Sequence, residues 1–308
     1  MKKIRSLLFI FLTIALLASC SSNPYSKTNR VHKKQLKEYS QQLREFPPQQ
    51  DAGASSLKFG EYQAGTTNFN LRKPNFVIIH HTAQNSVEHT LRTFTLPRTQ
   101  VSSHYVISRN GEVYQMLNDY YRAWHGGAGK WGNNSDLNSS SIGIELDNDG
   151  FEAFSPAMIN SLVDLLKVLK ERHNIPTANF IGHSDIAPSR KVDPNPTFPW
   201  KLLAEEGFGL WYDEAEAYQE IIIDGRPQVH LEIPAESREI TSETPADTTT
   251  STKKGVDPEL ALRIIGYDTS NMDAAIKAFK LHFIQSEVNG TLTERDLKIL
   301  NNLYRKYM

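Results

Sequence analysis

The stretch Phe76-Val77-Ile78-Ile79-His80-His81-Thr82 decides the fold of this chain. Its first four residues form a continuous apolar run, which is typical of a central strand buried on both faces of a sheet. Two histidines follow directly at the end of that run. Because successive side chains of a strand alternate between its faces, the pattern places the imidazoles of His80 and His81 on opposite sides of the sheet.

The segments around this strand have a mixed α/β pattern from about residue 59 to residue 226. Further strands are predicted at 105–108, 112–116, 141–146 and 180–183. Asn110-Gly111 separates two of them and indicates a hairpin with a type I′ turn, which needs positive φ at both positions. Ser155-Pro156 predicts the start of a helix that ends near Asn174. One face of that helix is apolar, formed by Ile159, Leu162, Val163, Leu166 and Leu169.

Composition changes sharply after this region. Between residues 231 and 254, nine of 24 residues are Ser or Thr, two are Pro and none is aromatic, which predicts a disordered linker over 227–254. Residues 255–308 return to a helical pattern, in which Thr291-Leu292-Thr293-Glu294 fits a capping box.

The N-terminus has the features of a secretory signal. Lys2, Lys3 and Arg5 precede an apolar run over 6–18 that is too short to span a bilayer comfortably. The following Leu17-Ala18-Ser19-Cys20 resembles a bacterial lipobox. The resemblance implies a signal peptide over 1–19, lipidation of Cys20, a polar tether over 20–58 that includes a short helix, and anchoring in the cell envelope. The absence of acidic residues directly after Cys20 favours the outer membrane, facing the periplasm. An ordinary signal peptide or an N-terminal anchor helix is the alternative.

The overall composition excludes several classes of protein. The chain has 308 residues, with 34 Lys and Arg against 35 Asp and Glu, so it has no broadly basic surface and we expect no nucleic-acid partner. A single cysteine excludes a disulfide framework and any multi-cysteine metal site. Because only one apolar run is long, the chain is not a polytopic membrane protein.

Histidines in three local contexts carry the candidate chemistry. They lie in His80-His81-Thr82, in Trp124-His125-Gly126-Gly127, and in Gly182-His183-Ser184-Asp185, which leads to Asp193-Pro194. A sheet brings the ends of its strands together, so ligands far apart in sequence can meet at its rim. Two imidazoles and a carboxylate suit Zn²⁺ and leave its fourth tetrahedral position free for water.

These blocks, with Ser103-His104-Tyr105 and Ser141-Ile142-Gly143-Ile144-Glu145, follow a known family order over residues 67–213. The chain resembles the zinc-dependent type-2 N-acetylmuramoyl-L-alanine amidases, which are related to T7-type lysozyme amidases and peptidoglycan recognition proteins. It is most similar to the lipoprotein, outer-membrane branch. The resemblance implies an α/β fold in which helices flank a central mixed β-sheet, followed by a small C-terminal three-helix domain. It also implies hydrolysis of the amide bond between the lactyl group of N-acetylmuramic acid and L-alanine, in peptidoglycan or muropeptides.

The resemblance further implies a role for each site residue. His80, His183 and Asp193 correspond to the zinc ligands, and His81 then has a structural role. Glu145 corresponds to the general base, with a solvent-exposed strand glutamate as the alternative. Lys191 corresponds to the lysine that stabilises the oxyanion, with an ordinary surface lysine as the alternative.

Substrate contacts are assigned to His125 and Trp124, and a structural role is equally expected for His125. Trp131 and Trp200 either stack on sugars or are buried, and Arg190 is expected to be solvated or to contact substrate. The C-terminal segment resembles a peptidoglycan-binding-like domain, but Lys280 stands where that family often has glutamine. The alternative there is a helical cap without a ligand.

Two other functions remain open at this stage. One is a non-catalytic peptidoglycan-binding lipoprotein, and the other is a zinc peptidase that cuts within the stem peptide. The intact ligand set with Glu145 and Lys191 favours the amidase.

Overall fold

The structure is a computed structural model that describes residues 23–44, 73–217, 222–223, 226–227 and 256–308. The predicted signal peptide, Cys20 and nearly all of the Ser/Thr-rich linker lie outside the described residues. The chain divides into two compact units, Met1–Asn70 and Leu71–Met308. In the described part of the chain, no helix has the length and apolar character needed to cross a bilayer.

The first unit contains helix α1 (Ser26–Gln42), which lies within the predicted polar tether. Its sequence is rich in Lys and Gln, and none of its residues is buried. The short helix expected in the tether is therefore present.

A five-stranded sheet forms the centre of the second unit. Its strands are β1 (Phe76–His81), β2 (Tyr105–Ile107), β3 (Val113–Gln115), β4 (Ser141–Leu146) and β5 (Phe180–Gly182). The order across the sheet is β3-β2-β4-β1-β5, and only the β2–β3 pair is antiparallel. The expected mixed sheet is confirmed, with the apolar run of β1 between two parallel neighbours.

Helices and short strands complete the two units. In the second unit the helices are α2 (Val87–Thr95), α3 (Leu137–Ser140), α4 (Pro156–His173), α5 (His183–Ile186), α6 (Trp200–Glu205), α7 (Glu214–Ala217), α8 (Pro258–Ile265), α9 (Met272–Phe283) and α10 (Glu294–Tyr307). Two 3₁₀ turns span Pro97–Thr99 and Thr177–Asn179, and β6 (Ile222–Ile223) pairs with β7 (Arg226–Pro227). The predicted limits of α4 are confirmed, since Ser155 caps its N-terminus and Asn174, at φ 51°, ends it.

The two faces of the sheet have different partners. Val77 and Ile79 of β1 pack with α4 in one apolar cluster. Ile78 points to the other face and joins a cluster that includes Leu262 and Phe279 of the C-terminal helices. Because side chains alternate, His80 lies on the face of Ile78, the one that these C-terminal helices help to cover.

The C-terminal helices thus share a core with the sheet. Trp131 packs edge to face against Tyr267, with ring centroids 5.0 Å apart, and the Gly132 amide donates to the Gly266 carbonyl at 2.7 Å. Inside this helical module, Lys280 is buried and its Nζ lies 3.1 Å from Asp296 Oδ2. Lys280 therefore stabilises the module from within and is not available at a ligand-binding surface.

Three local predictions are wrong in detail. The hairpin contains Ser108-Arg109-Asn110-Gly111, in which the Gly111 amide donates to the Ser108 carbonyl and only Gly111 has positive φ, at 88°. A type I turn followed by a left-handed glycine replaces the type I′ turn, because three residues connect the paired Ser108 and Glu112. The capping box of α10 pairs Thr293 with Asp296, two residues later than expected. His183 begins α5 and does not end β5.

Candidate metal centre

The three predicted ligands meet at one end of the sheet. His80 Nδ1 lies 2.9 Å from His183 Nδ1 and 3.2 Å from Asp193 Oδ2, and the latter two atoms are 3.0 Å apart. All three residues are buried. β1 supplies His80, and the start of α5 supplies His183. Asp193 returns on the loop after α5, held by a 2.8 Å hydrogen bond from the Ser184 amide to the Asp193 carbonyl.

The outward nitrogen of His183 fixes the protonation of its ring. Nε2 lies 3.1 Å from the carbonyl oxygen of Gly126, which can only accept a hydrogen bond. Arg190 Nη2, which can only donate, lies farther from Nε2, at 3.4 Å, so the shorter contact favours a proton on Nε2. In the neutral ring with that proton, Nδ1 presents a lone pair to the other two ligands. This is the usual way in which an outer partner orients a metal-binding imidazole.

A chain of hydrogen bonds fixes His80 in the same way. Ser141 Oγ donates to the Leu137 carbonyl, so it accepts from His125 Nε2 at 3.2 Å. His125 Nδ1 then accepts from His80 Nε2 at 3.0 Å. The chain leaves His80 Nδ1 without a proton, as in His183.

The donor set fits a divalent cation. Two imidazole nitrogens and a carboxylate oxygen, which are donor types that bind zinc, face one another about 3 Å apart. A tetrahedral zinc site with bonds of ~2.0–2.2 Å separates its ligands by roughly 3.3 Å, close to the observed spacing. Burial, followed by the charge of His183, lowers the pKa of His80 to about 4, so the ring is neutral at pH 7. The neutral ring is the form that binds metal.

Glu145 lies beside the ligands, in contrast to the solvent-exposed alternative. It is buried, and it pairs in register with His80 across the parallel β1 and β4 strands. Adjacent residues in register project from the same face, so the carboxyl group of Glu145 shares the face of His80. Burial, followed by the charge of Asp193, raises the pKa of Glu145 well above its usual range. A carboxyl group in such a place suits proton transfer.

An open cleft of about 480 Å³ reaches His183, one of the three candidate ligands. Lys191, only half-buried, lines this cleft together with Arg122. Trp124 stands at its rim with half of its surface exposed. Lys191 and Trp124 therefore line the same cleft as His183. Arg190 also lines the cleft, but its guanidinium donates to the Gly126 and Ala128 carbonyls and stabilises the loop behind His183.

The other aromatic and imidazole candidates have structural roles. His125 is buried and holds His80, although its edge reaches the cleft. His81 points away from the ligands, and its Nδ1 accepts from the Asn195 amide at 3.1 Å. Trp131 and Trp200 are buried against the C-terminal helices, which excludes the sugar-stacking role for both.

Three supporting residues had no assignment from the sequence. Asn138 Oδ1 accepts from the amides of His125 and Gly126, at 3.1 and 2.8 Å. Ser141 ends the chain behind His80, and Asp185 accepts from the Gly182 amide at 2.7 Å. Ser141 and Asp185 lie within quoted motifs, but only the three-dimensional contacts reveal their partners. Asn138 has no local signal in the sequence.

Residues 70–196 match the family model described as N-acetylmuramoyl-L-alanine amidase. The chain is 33% identical over 253 residues to the N-acetylmuramoyl-L-alanine amidase AmiD of Escherichia coli, covering 75% of this chain and 82% of that protein. It is 38% identical over 101 residues to the 1,6-anhydro-N-acetylmuramyl-L-alanine amidase AmpD of the same species, covering 33% and 55%.

Solved structures show the same similarity at the level of the fold. The complex of E. coli AmiD with the substrate anhydro-N-acetylmuramic acid-L-Ala-D-γ-Glu-L-Lys superimposes with a TM-score of 0.61 and 30% identity, covering 80% of this chain and 93% of that one. AmpDH3 of Pseudomonas aeruginosa gives a TM-score of 0.62 and 27% identity, covering 82% and 99%. In both superpositions the covered part of this chain is longer than the α/β region over 59–226, so the similarity extends beyond the sheet and its flanking helices.

Proposed function

The chain belongs to the family of N-acetylmuramoyl-L-alanine amidases, and from this premise we propose that it is a zinc-dependent hydrolase of the amide bond between N-acetylmuramic acid and L-alanine. The substrate class is peptidoglycan or the muropeptides released from it. A single observation carries the proposal: His80 Nδ1, His183 Nδ1 and Asp193 Oδ2 lie about 3 Å apart in a buried site.

His80, His183 and Asp193 would hold the zinc ion through Nδ1, Nδ1 and Oδ2. When bound, zinc supplies a Lewis acid that polarises the amide carbonyl and lowers the pKa of a water molecule. The buried chain through His125 and the Gly126 carbonyl keep both imidazoles oriented, with the Nδ1 atoms directed towards each other and towards Asp193.

Proton transfer is the role proposed for Glu145. Its carboxylate takes a proton from the attacking water as the new carbon–oxygen bond forms. It then gives that proton to the nitrogen of L-alanine as the carbon–nitrogen bond breaks, so one water is consumed and one amine and one carboxylic acid are produced. The Lys191 ammonium donates to the carbonyl oxygen as negative charge develops there. Trp124 contacts the incoming muropeptide at the rim of the cleft.

We also propose that the protein is a lipoprotein, anchored through Cys20 to the outer membrane and facing the periplasm. The support comes from the sequence: a short basic segment, an apolar run and a lipobox-like motif that holds the single cysteine. Two or more acyl chains on one residue give stable anchoring. The polar tether then sets how far the catalytic unit reaches into the wall.

The test is cleavage of purified muropeptides with mass spectrometry of the products. The proposal expects free stem peptide beginning at L-alanine, loss of cleavage with a chelator, and recovery on adding Zn²⁺. Products cut within the stem peptide would identify a zinc peptidase. Substrate binding without any product would identify a non-catalytic binding protein.

Histidine variants provide the matched control. His183→Ala is expected to lose both bound zinc and cleavage, because it removes one of three ligands. His89→Ala, an exposed histidine of α2, is expected to keep both. Equal zinc content in these two variants would contradict the ligand assignment.

A further inference from the structure

Asp185 connects the C-terminal helices to the metal ligands. It is fully buried, two residues after His183, and its carboxylate accepts three hydrogen bonds. One comes from the Gly182 amide, at 2.7 Å to Oδ2. The other two come from the C-terminal module, from Tyr267 Oη at 2.8 Å to Oδ1 and from His282 Nδ1 at 2.7 Å to Oδ2.

These contacts act on the backbone that carries the ligands. The bond from the Gly182 amide to Asp185 closes the first turn of α5, in which His183 is the first residue. The next amide, that of Ser184, donates to the Asp193 carbonyl at 2.8 Å. The Asp185 carboxylate therefore fixes the backbone on one side of His183, and Ser184 transmits that position to Asp193.

The two donors from the module are themselves held rigidly. His282 stacks on Trp200, with ring centroids 3.8 Å apart, and on Phe283 at 4.1 Å. Burial and the charge of Asp185 raise the pKa of Tyr267 well above its usual range, so its hydroxyl stays protonated and donates. Neither ring can turn away without breaking the packing between the module and the sheet.

We propose that the C-terminal helical module is a structural part of the zinc site, with Tyr267 and His282 as positioning residues that act through Asp185 on His183 and Asp193. The inference rests on the proposed zinc site. It assigns to the module a function in metal binding that does not require any contact with glycan. Outer partners of metal ligands typically change metal affinity by ~10–100-fold when they are removed.

The test is the dissociation constant for Zn²⁺ of the full chain, measured by competition with a chromophoric chelator. Tyr267→Phe removes a single hydroxyl with little change of shape, and His282→Phe keeps the ring stacking but removes the donor. Each is expected to weaken zinc binding by ~10-fold or more. His282→Asn, which restores a donor near the position of Nδ1, is expected to recover most of the affinity.

The matched control removes a contact between the module and the sheet domain that does not involve Asp185. Lys306 Nζ donates to the Trp211 carbonyl at 2.7 Å, and Lys306→Met is expected to leave the zinc affinity unchanged. The thermal midpoint of unfolding of each metal-free variant is measured in parallel. It shows which variants are folded at the temperature of the zinc-binding measurement.

Failure of this inference and failure of the proposed zinc site would give different results. The inference would be overturned if the Tyr267→Phe and His282→Phe variants remain folded and bind zinc as tightly as the wild type does. A lowered thermal midpoint in those variants would then show that the two residues contribute to packing alone. A wild-type chain that binds no zinc would overturn the proposed zinc site and this inference with it.

Discussion

At the scale of single residues, the site depends on groups that hold one another in a defined orientation. His183 is fixed by one carbonyl, and His80 is fixed by a relay of two side chains that ends on the Leu137 carbonyl. Glu145 stands outside this relay and shares the face of His80 through strand register. Metal binding and proton transfer are therefore assigned to different residues, which variants can separate.

Glu145→Gln is expected to keep zinc and lose turnover. Glutamine preserves the shape of the side chain but neither accepts nor returns a proton, and general acid–base catalysis contributes typically ~10²–10⁴-fold to a rate. Metal content and the rate of stem-peptide release are measured together. Glu171→Gln, on the exposed face of α4, is the control and is expected to match the wild type. Full activity in Glu145→Gln would show that another group is the base.

The sequence predicted that His80, His183 and Asp193 lie together, because each belongs to a local pattern near the rim of the sheet. His80 follows an apolar run, and Asp193 follows His183 by ten residues, with Pro188 between them and Pro194 directly after Asp193. The partners of those ligands were not predictable, because the Gly126 carbonyl, Asn138 and Asp185 contribute through tertiary contacts that leave no periodic signal.

At the scale of secondary structure, buried polar groups join elements that are distant in sequence. Inside the C-terminal module, Lys280 of α9 donates to Asn289 Oδ1 and to the Thr291 carbonyl, each at 3.0 Å, and pairs with Asp296 of α10. This cluster connects the two helices and the loop between them. It also explains how a buried lysine is accommodated at position 280.

Lys280→Met is expected to destabilise the protein by about 3–5 kcal/mol, because it leaves the Asp296 charge buried without its partner. Chemical denaturation provides the measurement. Lys277→Met on the same helix removes an exposed pair with Asp273 and is expected to cost about 0–1 kcal/mol. Equal effects of the two substitutions would contradict the importance of burial for this pair.

A second polar cluster ties β2 to the end of α4. Asp119 accepts from Tyr105 Oη at 2.6 Å, from His173 Nε2 at 2.9 Å and from Arg172 Nη1 at 3.1 Å. Burial by itself would raise the pKa of Asp119, but these hydrogen bonds hold the pKa below its ordinary value. Since the folded-state pKa is depressed, the stabilisation is present above the unfolded pKa of about 3.9 and is lost as pH falls through the folded value.

Asp119→Asn is therefore expected to cost roughly 1.5–3 kcal/mol at neutral pH, the range for hydrogen bonds to a charged group. The difference from the wild type should shrink below about pH 4, where the Asp119 carboxylate of the unfolded wild-type chain takes up a proton before that of the folded chain does. Denaturation curves between pH 3 and pH 7 test this. A difference that stays constant over that range would show that the charge of Asp119 does not contribute.

The limits of helices and strands could be predicted from the sequence where the element has a long apolar face. The face of α4 and the run in β1 were both recognisable. Short turns were harder to predict, because Asn110-Gly111 is compatible with more than one hairpin geometry and the two Thr residues at 291 and 293 can each cap a helix. A Cβ added at Gly111 would meet the Ala157 carbonyl at 2.8 Å. This contact joins residues that are distant in the chain, so it leaves no signal in the local sequence.

At the scale of the whole molecule, the second unit combines a sheet and a helical module in a common core, and the first unit holds helix α1 of the proposed tether. Cys20→Ser is expected to move the protein from the membrane fraction to the soluble fraction of the cell envelope, because it removes the residue that would carry the acyl chains. Fractionation and immunoblotting measure this, and muropeptide cleavage by the purified variant should equal that of the wild type. Unchanged membrane association would contradict lipid anchoring at Cys20.

The register between β1 and β4 has a consequence for how the molecule reaches an active state. His80 is opposite Glu145 because Phe76 is opposite Ser141, and every intervening pair keeps that alignment. A slip of one residue would turn either side chain to the α4 side and separate the base from the ligands. Catalysis thus provides a stringent assay of correct folding, since a compact chain with misaligned strands would not cleave its substrate.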